Sequence, residues 1–206
     1  MWLGNLSRDG KARRGAPSLG AVAATAVALA LSGCSAQYVE NNAASVLLLV
    51  DNIADGAPVL SDVRAGADND SIVNCQVKAS LLAQAKNPTS AVGASEAVQI
   101  TRYDVAYRRS DGRGAQGVDV PYSISGNLTK LLAAGGSTVD VSIDLVRHQA
   151  KLEPPLSNIV GLQIVTMFAD VTFYGQTVSG KAVSAMGTAT VTFADYATGT
   201  ATCEGS

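Results

Sequence analysis

Apolar and polar residues alternate along much of the chain after residue 72, which is the pattern of half-buried β-strands. The clearest stretches are 73–81, 139–145 and 183–193, where every second residue is small or apolar and most residues between are polar. Residues 45–53 contain a continuous apolar run instead, Val46 to Val50, which predicts a strand buried on both faces or a first core strand, with a short helix as the alternative. The other strands of a predicted set of about seven are 98–107, 118–125 and 171–174.

Two irregularities interrupt the alternation. The apolar phase slips by one residue near Arg102, which predicts a β-bulge, and Pro121 predicts an edge strand or a break because it has no N–H to donate. Turn signals such as Asp111-Gly112 and Gly135-Gly136 separate most of the predicted strands. Many short strands joined by turns favour an all-β, antiparallel β-sandwich.

The first thirty-four residues have the order of a secretory signal. Four basic residues precede a 13-residue apolar run, Leu19 to Leu31, which is shorter than the roughly 20 residues of a membrane-spanning helix. Small residues follow the run. The basic residues are Arg8, Lys11, Arg13 and Arg14.

The end of this segment, Leu31-Ser32-Gly33-Cys34, resembles the lipobox of bacterial lipoproteins. The resemblance implies that residues 1–33 are a lipoprotein signal peptide and that Cys34 receives the lipid. It also implies a membrane-anchored protein of the cell envelope. If the source is Gram-negative, the resemblance implies the outer membrane, because position 35 is Ser and not the Asp that would keep a lipoprotein from being sorted there. The alternative is a secreted protein cut nearby, with Cys34 free or in a disulfide.

The chain after the signal divides into two parts. Residues 34–44 comprise the lipidated Cys and a small, polar tether, and residues 45–206 comprise the β-sandwich domain. By its strand pattern the domain resembles the Ig-like, Greek-key sandwiches of uncharacterised envelope lipoproteins. The Cys-Trp-Cys signature of antibody domains is missing, because the only tryptophan is Trp2.

Charge argues against nucleic acid as a partner. The chain has 15 basic and 17 acidic residues, of which four basic residues and one acidic residue lie in the signal. The remaining 11 basic and 16 acidic residues give a mildly acidic domain without the clustered basic face that nucleic-acid binding requires.

Cysteine and aspartate positions suggest two sites. Once Cys34 is committed to lipid, Cys75 and Cys203 remain, and an even pair in an oxidising compartment predicts a disulfide, with two separate thiols as the alternative. The loop with Asp62, Asp68, Asn69 and Asp70 offers oxygen ligands for Ca²⁺, although it lacks the EF-hand order and such loops are mostly solvated turns.

One stretch combines cationic and aromatic side chains and is a candidate interaction surface, because Arg and Tyr are favoured interface anchors. The alternative is a solvated outer face with core tyrosines. The stretch contains Arg102, Tyr103, Tyr107, Arg108 and Arg109.

No catalytic constellation is evident, since His148 is the only histidine and no G-x-S-x-G elbow occurs. The expectation is therefore a lipid-anchored envelope protein without enzymatic activity or cofactor. It would have a binding or structural accessory role toward an envelope protein partner, with the membrane contacted through Cys34. The alternatives are an envelope hydrolase using carboxylates or hydroxyls, and a calcium- or carbohydrate-binding module.

Overall fold

The computed structural model describes residues 43–64, 72–89, 91–196 and 203–204. Within these ranges the regular secondary structure is mostly β-strand, with one short α-helix, α1 (His148–Leu152), and a few single-turn 3-10 helices. The strands are β1 (Val46–Ile53), β2 (Val59–Asp62), β3 (Cys75–Ala85), β4 (Val98–Arg109), β5 (Ile124–Leu132), β6 (Val139–Val146), β7 (Ile164–Thr177), β8 (Ala182–Ala194) and β9 (Cys203–Glu204).

The strands form two sheets that pack as a β-sandwich, which confirms the predicted all-β class. The smaller sheet has the order β1-β3-β6, and the larger has the order β5-β4-β7-β8-β2-β9. The predicted strands 171–174 and 183–193 fall within β7 and β8, which pair as a long hairpin in the middle of the larger sheet, and β7 begins earlier than predicted, at Ile164. The Ig-like, Greek-key topology stays a prediction.

Three features of the sheets differ from the sequence predictions. The sandwich is not wholly antiparallel, because β2 pairs with β8 in parallel. The short strands β2 and β9 were not predicted, since four and two residues are too few for a periodic signal. The predicted strand 118–125 is wrong in its bounds, because Val118, Asp119 and Val120 form a turn whose N–H groups bind the Ala115 carbonyl, and β5 begins at Ile124.

The core lies between the two sheets and is built from the apolar phase of each strand. Leu81 and Ile143 of the smaller sheet and Phe173 and Phe193 of the larger are essentially fully buried. The predicted bulge is confirmed, because the register of β4 shifts between Ile100 and Arg102 against both of its neighbours. The bulge allows the apolar phase to slip by one residue while each side of the strand keeps its face.

The sandwich has two ends with different surroundings. The proximal end contains Ser45 and the 86–97 loop, which are joined where the Lys86 N–H binds the Ser45 carbonyl at 2.9 Å. The distal end contains the loops 110–123 and 147–163. Across the ranges given above, no helix has the length and apolar character needed to cross a membrane.

Candidate interaction surface on the six-stranded sheet

Strand β4 divides the predicted arginine and tyrosine stretch between two opposite faces. Tyr103 and Tyr107 point into the core and are only 5% and 6% exposed, whereas Arg102 and Arg108 point outward. Alternation along the strand requires this division. The two tyrosines are therefore core residues, and their assignment to an exposed surface is wrong.

The buried tyrosines connect the two sheets. The Tyr107 hydroxyl donates to the Leu145 carbonyl at 2.6 Å, and the Tyr103 hydroxyl accepts from the Asp144 N–H at 2.9 Å. The pairing of β3 with β6 skips Leu145, so this bulge leaves backbone groups for the hydroxyls to bind. Burial is the main reason why the pKa of each tyrosine is raised.

The outward side of β4 meets aromatic side chains from β7. The Arg102 guanidinium lies 4.2 Å from the ring centroid of Tyr174, and that of Arg108 lies 4.4 Å from the ring centroid of Phe168. Both distances fall within the range of a cation–π interaction. Each stack joins a residue to its direct cross-strand partner, since Arg102 is paired with Tyr174 and Arg108 with Phe168.

A carboxylate lies beside each arginine, and only the one beside Arg108 makes a hydrogen bond with it. Asp170 accepts from Arg108 Nε at 2.8 Å and from the Thr188 hydroxyl at 2.6 Å, and Asp104 lies 3.7 Å from Arg102. Partial burial acts to raise the pKa of Asp170, but the hydrogen bonds from Arg108 and Thr188 outweigh it and leave the pKa below its usual value. Asp170 therefore stays ionised and keeps Arg108 oriented.

These groups form one ordered surface, called here the Arg-aromatic face. Both arginine side chains remain about half exposed, at 53% and 51%. The face lies on the outer surface of the six-stranded sheet, and none of its residues lines the grooves described below. It consists of Arg102, Asp104, Arg108, Phe168, Asp170 and Tyr174.

Arg109 belongs to a different cluster, at the distal end. Its side chain pairs with Asp111 at 3.2 Å, and Asp111 also binds Arg113 at 2.7 Å. Hydrogen bonds from Arg113, and then those from Arg109, hold the pKa of Asp111 far below its usual value. These contacts close the loop after β4, and they place Arg109 outside the Arg-aromatic face.

Asp62, a predicted calcium ligand, lies at the buried end of β2. Its Oδ1 accepts from the backbone N–H groups of Arg64 and Tyr196, at 3.0 and 3.3 Å. The Lys151 side chain is also buried, and the two charges interact. Asp68 and Asp70 lie outside the described residues, within which no three potential metal ligands cluster. The calcium site stays a prediction.

Two of the three cysteines lie within the described residues, and they form the predicted disulfide. Cys75 on β3 and Cys203 on β9 are joined as a disulfide, with their Cα atoms 5.2 Å apart. This bond connects the smaller sheet to the edge of the larger one. Cys34 lies outside the described residues.

Sequence reasoning missed the aromatic and acidic partners on β7. Phe168, Asp170 and Tyr174 are spaced at even intervals along the strand, which places them on one face. No signal within β4 or β7 alone shows that the two strands are neighbours in this register. Strand pairing was the missing information.

The comparisons with known proteins add little. No family model and no curated protein matches the chain. A solution structure described as a candidate late embryogenesis abundant (LEA) protein matches with a TM-score of 0.41 and 13% identity, covering 84% of this chain and 87% of that one. A likeness at this level carries no argument about function.

Proposed function

We propose that this chain is a bacterial envelope lipoprotein, anchored through lipid on Cys34, whose β-sandwich domain binds an envelope protein through the Arg-aromatic face. In this proposal the role is binding or structural support and not catalysis. The lipid holds the domain at a membrane, and the sheet face supplies specificity.

Support for the anchor comes from the order of residues in the first thirty-four positions. A basic segment, a 13-residue apolar run and small residues precede Cys34, as in a cleaved signal. Acyl chains contribute about 0.8 kcal/mol per buried CH₂, so two or three chains hold a domain stably on a membrane. Residues 35–42, which are small or polar except for Tyr38 and Val39, lie between Cys34 and the sandwich domain in the sequence.

The observation that carries the binding role is the pair of arginine–aromatic stacks on one exposed sheet face. Arg and aromatic residues are enriched among interface anchors, and the Asp170 carboxylate orients Arg108 before binding, which lowers the entropy cost of association. A broad sheet face suits a protein surface better than it suits a small molecule. A partner with exposed carboxylates and apolar side chains would match it.

The test is photocrosslinking in intact bacterial cells. The photoreactive residue p-benzoylphenylalanine replaces Ala106, which is exposed on β4 between the two stacks. The matched control places it at Ser142, which is exposed on the outer face of the smaller sheet. We expect a discrete protein adduct from position 106 and none from position 142.

The dependence of this adduct on single residues makes the test specific. Arg108→Ala should reduce the adduct several-fold, whereas Lys78→Ala, an exposed change on the smaller sheet, should leave it unchanged. Cys34→Ala should also reduce it, because the domain is then no longer held beside an envelope partner. Equal adduct yields from positions 106 and 142, or a yield from position 106 that Arg108→Ala does not change, would contradict the proposed binding face.

A further inference from the structure

The proximal end of the sandwich carries an open apolar groove beside the point where the chain enters the domain. Its cavity volume is about 480 Å³, within the range of protein ligand sites. We call it the proximal groove, and its lining includes Leu82, Ala85, Pro88, Ala91, Val92 and Gly135.

The groove extends toward the first described residues. A second depression of about 530 Å³ shares Ala85, Ala91 and Val92 with it and is lined on its other side by Ser45. Ser45 is fixed there, because its carbonyl accepts from the Lys86 N–H and its hydroxyl donates to Glu96. The chain that precedes Ser45 therefore arrives at the rim of the groove.

The residues just before this point have the composition of a segment that fits such a groove. Between Cys34 and residue 43, Tyr38 and Val39 are the only large apolar residues, and the rest are small or polar. Tyr38 lies five positions before Ala43, so an extended chain between them reaches roughly 17 Å, which is more than the roughly 10 Å between two packed sheets.

We propose that the tether docks in the proximal groove, with Tyr38 and Val39 against Ala85, Ala91 and Val92. The docking shortens the tether and fixes how the anchored domain is oriented. A segment joined by so few residues has an effective concentration on the order of millimolar, so even a millimolar intrinsic affinity keeps the groove about half occupied. The inference rests on the proposed function only for the identity of residues 34–44 as a tether.

The experiment is photocrosslinking from the tether itself. The photoreactive residue p-benzoylphenylalanine replaces Tyr38 in the full chain, and irradiated protein is digested with trypsin and mapped by mass spectrometry. We expect an intramolecular crosslink to peptides 79–86 or 87–102, which contain the groove residues. The same residue at Tyr122, which is exposed at the distal end, should give no crosslink to these peptides.

A pair of variants separates docking from simple proximity. Ala91→Arg introduces a charged side chain at an exposed groove position and should lower the crosslink yield at least fivefold. Val178→Arg, an exposed change at the same end but outside the groove lining, should leave the yield unchanged. A yield insensitive to Ala91→Arg would overturn the proposal.

Other occupants give distinct products, each of which would overturn it. Crosslinks from position 38 to lipid, to another protein or to a second copy of the chain would show that the tether lies elsewhere. The anchor is scored separately, by lipid labelling of Cys34. Loss of labelling with the groove crosslink retained would contradict the proposed function and leave the docking intact.

Discussion

The ring of Tyr103 lies directly over Gly126 on the neighbouring strand β5. A Cβ atom built on Gly126 would stand 2.3 Å from Tyr103 Cζ, closer than any real contact allows. The two residues are cross-strand partners, so the glycine provides the space in which the ring crosses toward the smaller sheet. This contact links the local sequence of an edge strand to the packing of the two sheets.

Gly126→Ala should therefore destabilise the fold by about 1–3 kcal/mol, as overpacking of a well-packed core does. The measurement is the free energy of unfolding from urea denaturation. Gly114→Ala is the control, because a Cβ there meets nothing within 4 Å, and its effect should be small. Equal effects of the two substitutions would contradict the packing described for Tyr103.

Tyr107→Phe should cost about 1–2 kcal/mol, because it leaves the buried Leu145 carbonyl without the hydroxyl that binds it. The same denaturation experiment measures the effect. Tyr122→Phe, at a side chain 57% exposed to solvent, should change stability by only a few tenths of a kcal/mol. A Tyr107 variant as stable as the Tyr122 variant would argue against the connection between the sheets.

The buried Lys151 predicts an unusual dependence of stability on pH. Burial lowers its pKa to about 8, with Asp62 acting in the opposite direction, from a value of 10.5 in the unfolded chain. Between these values the unfolded state binds more protons than the folded state, so stability rises with pH. The expected gain from pH 8 to pH 10 is about 2 kcal/mol.

Urea denaturation at several pH values from 7 to 10 measures this rise, and Lys151→Met should abolish it. Above pH 10 the raised pKa values of Tyr103 and Tyr107 act in the reverse direction. The folded state then keeps protons that the unfolded tyrosines lose, so stability falls. A flat profile between pH 8 and 10 in the unaltered protein would contradict the buried charge.

The Arg-aromatic face should matter for binding far more than for stability. Arg108 and Asp170 form an ion pair at the surface, with Arg108 half exposed and Asp170 partly buried, and surface pairs contribute about 0–1 kcal/mol. Arg108→Ala should therefore leave the free energy of unfolding within about 1 kcal/mol of the unaltered protein while it lowers crosslinking to the partner. A large loss of stability in this variant would instead make the face a structural element.

Removal of the Cys75–Cys203 disulfide should cost about 2–4 kcal/mol, because the bond closes a long loop, with a sequence separation of 128 residues. Mass spectrometry without reductant should find the two cysteine peptides joined. The stability of Cys75→Ser/Cys203→Ser, measured by urea denaturation, then gives the cost. Two thiols that alkylate freely in the unreduced protein would refute the bond.

The alternation of apolar residues predicted the interior of the sandwich well. It located β3, β6, β8 and the last part of β7, because each of these strands buries most of one face. The bulge near Arg102 was also readable, since a bulge leaves a phase slip in the pattern. In each of these elements the alternation of apolar and polar residues within the strand itself shows which face is buried.

Elements at the edges of the larger sheet were harder to predict. Strand β5 buries little along its middle and contains Gly126, whose inward position is filled by the Tyr103 ring from another strand. Strand β2 is four residues long, and its parallel pairing with β8 depends on a distant part of the chain. Only the arginines of the candidate surface were predicted. Arg102 and Arg108 lie on β4, whereas their aromatic partners Phe168 and Tyr174 lie on β7, and the pairing of these two strands also depends on distant parts of the chain.

The central claim, a lipid-anchored binding domain, depends first on Cys34. Bacterial cells that express the chain are grown with radiolabelled palmitate, and the purified protein is compared with Cys34→Ala and with Cys75→Ser/Cys203→Ser. We predict label in the unaltered protein and in the double variant, and none in Cys34→Ala. Equal labelling of Cys34→Ala, or no label in the unaltered protein, would contradict the account.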